Sequence, residues 1–196
     1  QSVKQQLSAE GGVESTGSNS ACAAAGQLGL MSFYDALFSQ CDLSVAQFLV
    51  TSYDFTSEDR SAHLVSSMEQ ILAHGMCPII NENDALSSNK GYTAENVFVD
   101  NDALASLVAT KLGAEVLLLL TDVEGLYDRA PSEPGARIIS TYKHDQSIAF
   151  GEKSSRGRGG MGAKVESAVR ALDQGVQAVV IASGKRPDVI TDLMSA

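Results

Sequence analysis

The sequence predicts an α/β fold, a mostly parallel sheet with helices on both faces. Three observations carry that prediction. A helical stretch, a glycine and a short apolar run follow one another three times along the chain. The apolar runs are continuous rather than alternating, the pattern of strands buried on both faces. Helix and strand take turns, the order that brings strands into parallel pairing through crossover connections.

Taken in order, residues 1–20 are rich in Ser, Gly, Gln and Glu and poor in large apolar residues, so they read as a flexible lead-in. From Ala21 to about Gln40 the pattern turns helical, with Leu30, Phe33, Tyr34, Leu37 and Phe38 at spacings of three and four. Ser44 to Val50 is a short β-branched and apolar run, a strand. The repeating unit then begins. Glu58 to His74 is a helix stopped by Gly75 and followed by the run Met76 to Ile80. Asp102 to Leu112 is a helix stopped by Gly113 and followed by Val116 to Leu120. Gly162 to Gln174 is a helix stopped by Gly175 and followed by Ala178 to Ala182. Glycine just past a helix end tolerates the left-handed conformation that closes the last turn.

Composition excludes several classes. The 196 residues are 44% hydrophobic and 19% charged, ordinary for a folded chain able to bury its own core. With 14 Lys+Arg against 24 Asp+Glu the net charge is −10, which disfavours a partner bound through its phosphate backbone, so no nucleic acid is expected. The longest aliphatic run, Val116 to Leu120, falls far short of the roughly 20 residues of a membrane span. No membrane partner is expected, and no secretory signal pattern opens the chain. Cys22, Cys41 and Cys77 form no Cys-x-x-Cys and read as reduced thiols of a cytoplasmic protein. His63, His74 and His144 are scattered, so no structural metal site is expected. Charge is uneven: residues 1–128 hold 4 basic and 17 acidic side chains, net −13, whereas residues 129–196 hold 10 and 7, net +3.

In parallel sheets covered by helices, ligands sit outside the carboxyl ends of the strands. After Ile80 comes Asn81-Glu82-Asn83-Asp84, four polar side chains fit either for a polar small molecule or for a turn. Asp100-Asn101-Asp102 opens a helix, where one residue would suffice as a cap; three also offer acceptors for an ammonium group. Thr121-Asp122 follows the next strand and suits a ribose or base, or a simple turn. Arg156-Gly157-Arg158-Gly159-Gly160-Met161-Gly162-Ala163-Lys164 is glycine-rich, basic and runs into a helix start, a setting for phosphate. Lys164 falls near the first turn of that helix, where its charge opposes the dipole, so a compensating anion is expected. The loop is neither a Walker A sequence nor a dinucleotide fingerprint, because Gly-Lys-Ser/Thr is absent and no strand immediately precedes it.

As a set, Cys77-Pro78-Ile79-Ile80-Asn81-Glu82-Asn83-Asp84, Asp100-Asn101-Asp102, Leu118 through Tyr127 and Gly159-Gly160-Met161 through Lys164 resemble the glutamate 5-kinases of the amino acid kinase family. The resemblance runs from about Ala21 to Gly184. It implies a three-layer sandwich and ATP-dependent phosphorylation of the γ-carboxylate of L-glutamate, the first step of proline biosynthesis. It implies glutamate on Asp84 and Asn101 with Asp100, Asn81 and Asn83 nearby. ATP would lie on Thr121, Asp122 and the loop Arg158, Gly159, Gly160, Met161, Gly162, Ala163 and Lys164. Lys164 would neutralise the transferring phosphoryl group and Asp102 would organise the catalytic lysines. Magnesium with ATP, a homo-oligomer and feedback inhibition by proline are also implied.

The chain departs from that pattern. Arg158 stands where threonine is usual, Gly162 and Ala163 where hydroxyl residues are usual, and Val99 where a glycine precedes Asp100. The loop from Ser87 to Asn96 looks long, and the family's first strand with its lysine, its Ser-Ser-Gly-Ala segment and its closing strands have no counterpart. A kinase domain incomplete at both ends is therefore the expectation for 1–196, beginning as it does with Gln1. The alternatives are another amino acid kinase, such as an N-acetylglutamate kinase, and a non-catalytic regulatory subunit that binds nucleotide or amino acid.

Overall fold

A computed structural model of the chain describes residues 16–86, 97–142 and 160–195. They fall in two compact units, Gln1–Val97 and Phe98–Ala196. The expected lead-in lies outside the described residues up to residue 15, while residues 16–20 already belong to the first helix.

In the first unit, helix α1 (Thr16–Phe38) starts before the expected Ala21 and closes in a 3₁₀ turn, Ser39–Cys41. Tyr34 and Phe38, one turn apart, meet edge to face at 6.2 Å, while Leu30, Phe33 and Leu37 of the same stripe stay exposed. Strand β1 (Val45–Val50) leads through a single helical turn, α2 (Tyr53–Thr56), and helix α3 (Glu58–Ala73) to strand β2 (Cys77–Glu82). The two strands pair in parallel, Val45 against Cys77 through Val50 against Glu82. The crossover through α3 is what parallel pairing requires.

In the second unit, helix α4 (Asn101–Lys111) precedes strand β3 (Val116–Thr121), and helix α5 (Met161–Asp173) precedes strand β4 (Ala178–Ser183). A short helix α6 (Val189–Met194) follows. Strands β3 and β4 pair in parallel, Val116 against Ala178 through Thr121 against Ser183. The core joins Ala109 of α4, Leu117 and Leu119 of β3, Ala168 and Ala171 of α5, and Val176. Alanines on both helices let α4 and α5 pack closely on each other and on the strands.

The three glycine stops close their helices by one geometry. Gly75, Gly113 and Gly175 have φ of 70°, 61° and 104°. Each donates to the carbonyl three residues back, and the next residue donates five back: Met76 to Ile71, Ala114 to Ala109, Val176 to Ala171. That pair of bonds is the Schellman motif, which satisfies carbonyls left open at a helix end.

Two expectations need correction. Asn81 and Glu82 do not follow β2 but are its last residues, because they pair with Leu49 and Val50. Burial on both faces fails for β3: Leu117 and Leu119 turn into the core, while Val116 and Leu120 are 54% and 46% exposed. Among the described residues the parallel pairing comes as two two-stranded sheets, one per unit. No helix among the described residues is long and apolar enough to cross a membrane.

Candidate functional site

In the first unit the polar residues gather at the carboxyl ends of β1 and β2. The Asn81 side-chain oxygen accepts from the N–H of Glu82 at 3.0 Å, so it is folded back on its own strand. Asn83 prolongs the ladder by one bond, its N–H donating to Val50 at 2.8 Å, and Leu86 N–H closes a turn onto the Asn83 carbonyl. Asp84 sits inside that turn, partly buried. Both sequence readings of this stretch therefore apply: a turn is present, and it presents Asn83 and Asp84 at the strand end.

A cluster that the sequence reading missed lies beside it. One Asp54 oxygen accepts from the Thr51 N–H at 2.7 Å and the Thr51 hydroxyl at 2.8 Å. The other accepts from Arg60 Nε at 2.9 Å and from Arg60 Nη2. Arg60 in turn lies over the Tyr53 ring, 5.0 Å from its centre, a cation–π distance. Burial pushes the Asp54 carboxyl up, but the Thr51 N–H, Arg60 and the Thr51 hydroxyl outweigh it and hold the group below the ordinary carboxylate range. The Ser52 hydroxyl accepts from the Val97 N–H at 3.2 Å. The available signal was Thr-x-x-Asp directly after a strand, a side chain reaching back to an open N–H at a helix start.

In the second unit α4 and α5 run against the direction of the strands they precede. Their N-termini therefore lie at the carboxyl ends of β3 and β4, where ligand binding was expected. Asp100 is the N-cap of α4, its Oδ1 accepting from the Ala103 N–H at 2.8 Å. That bond satisfies an open helix donor, so for Asp100 the capping reading holds. Asn101 is exposed. Asp102 receives Lys164 Nζ on both oxygens, at 2.7 and 2.9 Å, across 62 residues of sequence. Both side chains are 19% exposed, so the pair is largely withdrawn from water.

Lys164 is the fourth residue of α5, and the expected compensating anion is here the Asp102 carboxylate. Gly160 is the N-cap of α5 and offers no side chain to cap it; Met161, Gly162 and Ala163 form its first turn. Open N–H groups and the positive end of the dipole favour an anion at such a place. Arg158 and Gly159 lie outside the described residues. Thr121 ends β3, and its hydroxyl donates to Asp122 Oδ1 at 3.3 Å. The Asp122 carbonyl accepts from Lys185 Nζ at 2.7 Å, a lysine the sequence reading did not single out.

The expected acceptor-binding residues thus divide, with Asn81, Asn83 and Asp84 in the first unit and Asp100 and Asn101 in the second. The residues expected to carry phosphoryl transfer, Asp102 and Lys164, are in direct contact.

Comparison with known proteins agrees with this architecture. The chain matches the amino acid kinase family over residues 2–183. It is 50% identical over 175 residues to a delta-1-pyrroline-5-carboxylate synthase of Mesembryanthemum crystallinum, covering 87% of this chain and 24% of that protein. It is 34% identical over 174 residues to a glutamate 5-kinase of Bacteroides thetaiotaomicron, covering 87% of this chain and 47% of that protein. The chain thus spans about a quarter of the synthase and about half of the kinase. Its fold resembles the carbamate kinase from Giardia lamblia bound to AMP-PNP, with a TM-score of 0.58 at 15% identity over 96% of this chain and 78% of that one. With a partly buried acid–lysine pair at two helix starts, parallel strands joined through helices, and a family match over nearly its whole length, the chain belongs to the amino acid kinase family.

Proposed function

We propose that this chain carries the phosphoryl-transfer part of an enzyme that makes L-glutamyl 5-phosphate and ADP from L-glutamate and ATP. The observation that carries the reading is the Asp102–Lys164 pair, an ammonium held by a carboxylate at the anion-favouring end of α4 and α5. Relatives named glutamate 5-kinase and delta-1-pyrroline-5-carboxylate synthase support glutamate as acceptor over N-acetylglutamate. No such observation favours a non-catalytic subunit.

In the proposed reaction a γ-carboxylate oxygen attacks the γ-phosphorus of ATP, and the bond from that phosphorus to the bridging oxygen breaks. ADP leaves with the electron pair. The acceptor is already ionised, so no general base is needed; alignment and neutralised charge do the work. Lys164 would meet the charge on the transferring group, and Asp102 would keep its ammonium in place. Thr121, Asp122 and the segment Arg158–Lys164 would hold the nucleotide. Asp84 and Asn101, with Asn81, Asn83 and Asp100, would hold glutamate. Magnesium would arrive with ATP. Magnesium that comes with ATP is held by phosphate oxygens, water and one or two carboxylates, and among the described residues no group of three or more His, Cys, Asp or Glu could hold a metal ion. A cytoplasmic location, self-association and inhibition by proline belong to the same proposal.

The test is an acceptor panel with ATP on the full-length protein, following ADP release and trapping acyl phosphate with hydroxylamine. Turnover with glutamate is expected. Turnover with N-acetylglutamate instead, or nucleotide binding with no acceptor at all, would replace the proposal by one of its two alternatives.

A further inference from the structure

We propose that Lys185 is a positioning residue for the segment Thr121–Asp122, setting its shape for nucleotide. The inference rests on reading that segment as part of an ATP site. The ladder between β3 and β4 ends at Thr121 against Ser183, and one more bond follows, from the Gly184 N–H to the Thr121 carbonyl at 2.8 Å. A Cβ placed on Gly184 would lie 3.5 Å from the Leu120 Cβ and 3.6 Å from the Thr121 carbonyl oxygen, so the strand ends stay in contact to that point. Beyond it the sheet no longer holds the chain. Asp122 is the first residue past the ladder, and its carbonyl is held by Lys185 Nζ at 2.7 Å.

Lys185 is itself anchored. Its N–H donates to the Ser183 hydroxyl at 3.4 Å, and Ser183 is buried at 1% exposure. The ammonium therefore works from a fixed base on β4. A peptide unit is planar, so the Gly184 bond to the Thr121 carbonyl fixes the plane before Asp122 and the Lys185 bond fixes the plane after it, and the two together set the direction in which the Asp122 side chain leaves the backbone. The Thr121 hydroxyl then needs only to hold the carboxylate. The neighbouring cation, Arg186, is committed to Asp192 at 2.7 Å and Asp188 at 3.3 Å, so it does not duplicate this bond.

Calorimetric titration of the full-length protein with AMP, ADP and AMP-PNP in the presence of magnesium tests the assignment. Lys185→Met is expected to weaken all three by the same factor, about three- to tenfold for one lost hydrogen bond that is exposed to solvent and so of ordinary net strength. Lys185→Arg restores most of the affinity, and the KM for glutamate and the melting temperature stay unchanged. Wild-type affinity in Lys185→Met overturns the inference alone. A loss that grows with the number of phosphates also overturns it, since the ammonium would then touch phosphate directly. A wild-type protein that binds none of the three nucleotides removes the inference and the ATP reading together.

Discussion

Removing Asp102 tests whether its contact with Lys164 is a working arrangement or an incidental surface pair. Exposed ion pairs contribute about 0.2–1 kcal/mol, whereas deleting one partner of a buried pair costs about 3–5 kcal/mol. Both side chains here are 19% exposed and the carboxylate takes the ammonium on both oxygens, so the pair lies between those limits. Asp102→Ala should therefore destabilise the protein by about 1–3 kcal/mol, because Lys164 is left partly buried, unpaired and near the positive end of α5. Lys164→Ala should cost less stability, since an unpaired Asp102 in the first turn of α4 is favoured by that helix's dipole. The double variant should be about as stable as Lys164→Ala, giving a coupling as large as the whole cost of Asp102→Ala, about 1–3 kcal/mol.

Activity should order the same variants differently. Lys164→Ala loses a stabiliser of charge in the transition state, and kcat should fall about 10²–10³-fold with a smaller change in the KM for glutamate. Asp102→Ala keeps the ammonium but frees it, so kcat falls less, and Asp102→Ala adds little on top of Lys164→Ala. The assays are urea denaturation and ADP release coupled to hydroxylamine trapping. Additive stability losses in the double variant would refute the energetic argument, and a normal kcat for Lys164→Ala would refute the chemical one.

Three further outcomes follow from local geometry. Gly113 has φ of 61° and open space where a Cβ would go, so Gly113→Ala should cost about 1–2 kcal/mol through backbone strain alone; an unchanged urea midpoint would contradict this. Ser106 is fully buried in α4 and its hydroxyl has no partner among the described residues, so Ser106→Ala should be neutral or stabilising by up to about 1 kcal/mol, raising Tm by at most about 2–4 °C and not lowering it. The Asp54 carboxyl is held below its ordinary range, so its contribution to stability is complete above that range and is lost as pH falls through the lowered value. Unfolding free energies below pH 4 should therefore fall more steeply for wild type than for Asp54→Asn, and parallel curves would count against the network.

The repeated helix, glycine and strand were legible because each is a local signal. Their boundaries fall within a residue or two of those read from periodicity, since the Schellman geometry at Gly75, Gly113 and Gly175 depends only on neighbouring residues. The single turn α2 was not legible. Tyr, Asp, Phe and Thr are indifferent helix formers, and Asp54 holds the turn through bonds to Thr51 and Arg60 rather than through propensity. Strand β2 runs on into Asn81 and Glu82 because a parallel partner supplies their backbone bonds, which no property of two polar residues announces.

The candidate site was legible as residue types and not as pairings. Asp100-Asn101-Asp102 reads as three equivalent acceptors, yet the first caps α4, the second is exposed and the third meets a lysine 62 positions away. Only the packing of α4 on α5 brings Asp102 and Lys164 together, so the anion inferred from the awkward placement of Lys164 could be anticipated in sign but not in identity. That difference bears on mechanism. A lysine balanced by a carboxylate is not a free anion trap, since its charge is already offset before any phosphate arrives. Among the described residues, what remains to attract phosphate at this end of the second unit is the N-terminus of α5, because Asp100 already caps α4 while the N-cap of α5, Gly160, has no side chain to offer its open N–H groups. Under the proposed function, ground-state phosphate is therefore bound by the backbone at the start of α5 together with the basic segment from Arg158, while Lys164 supplies charge held in a fixed direction for the group that gains charge during transfer. An ammonium fixed in that way strengthens the transition state more than the bound nucleotide, which is the condition for raising kcat rather than merely lowering KM.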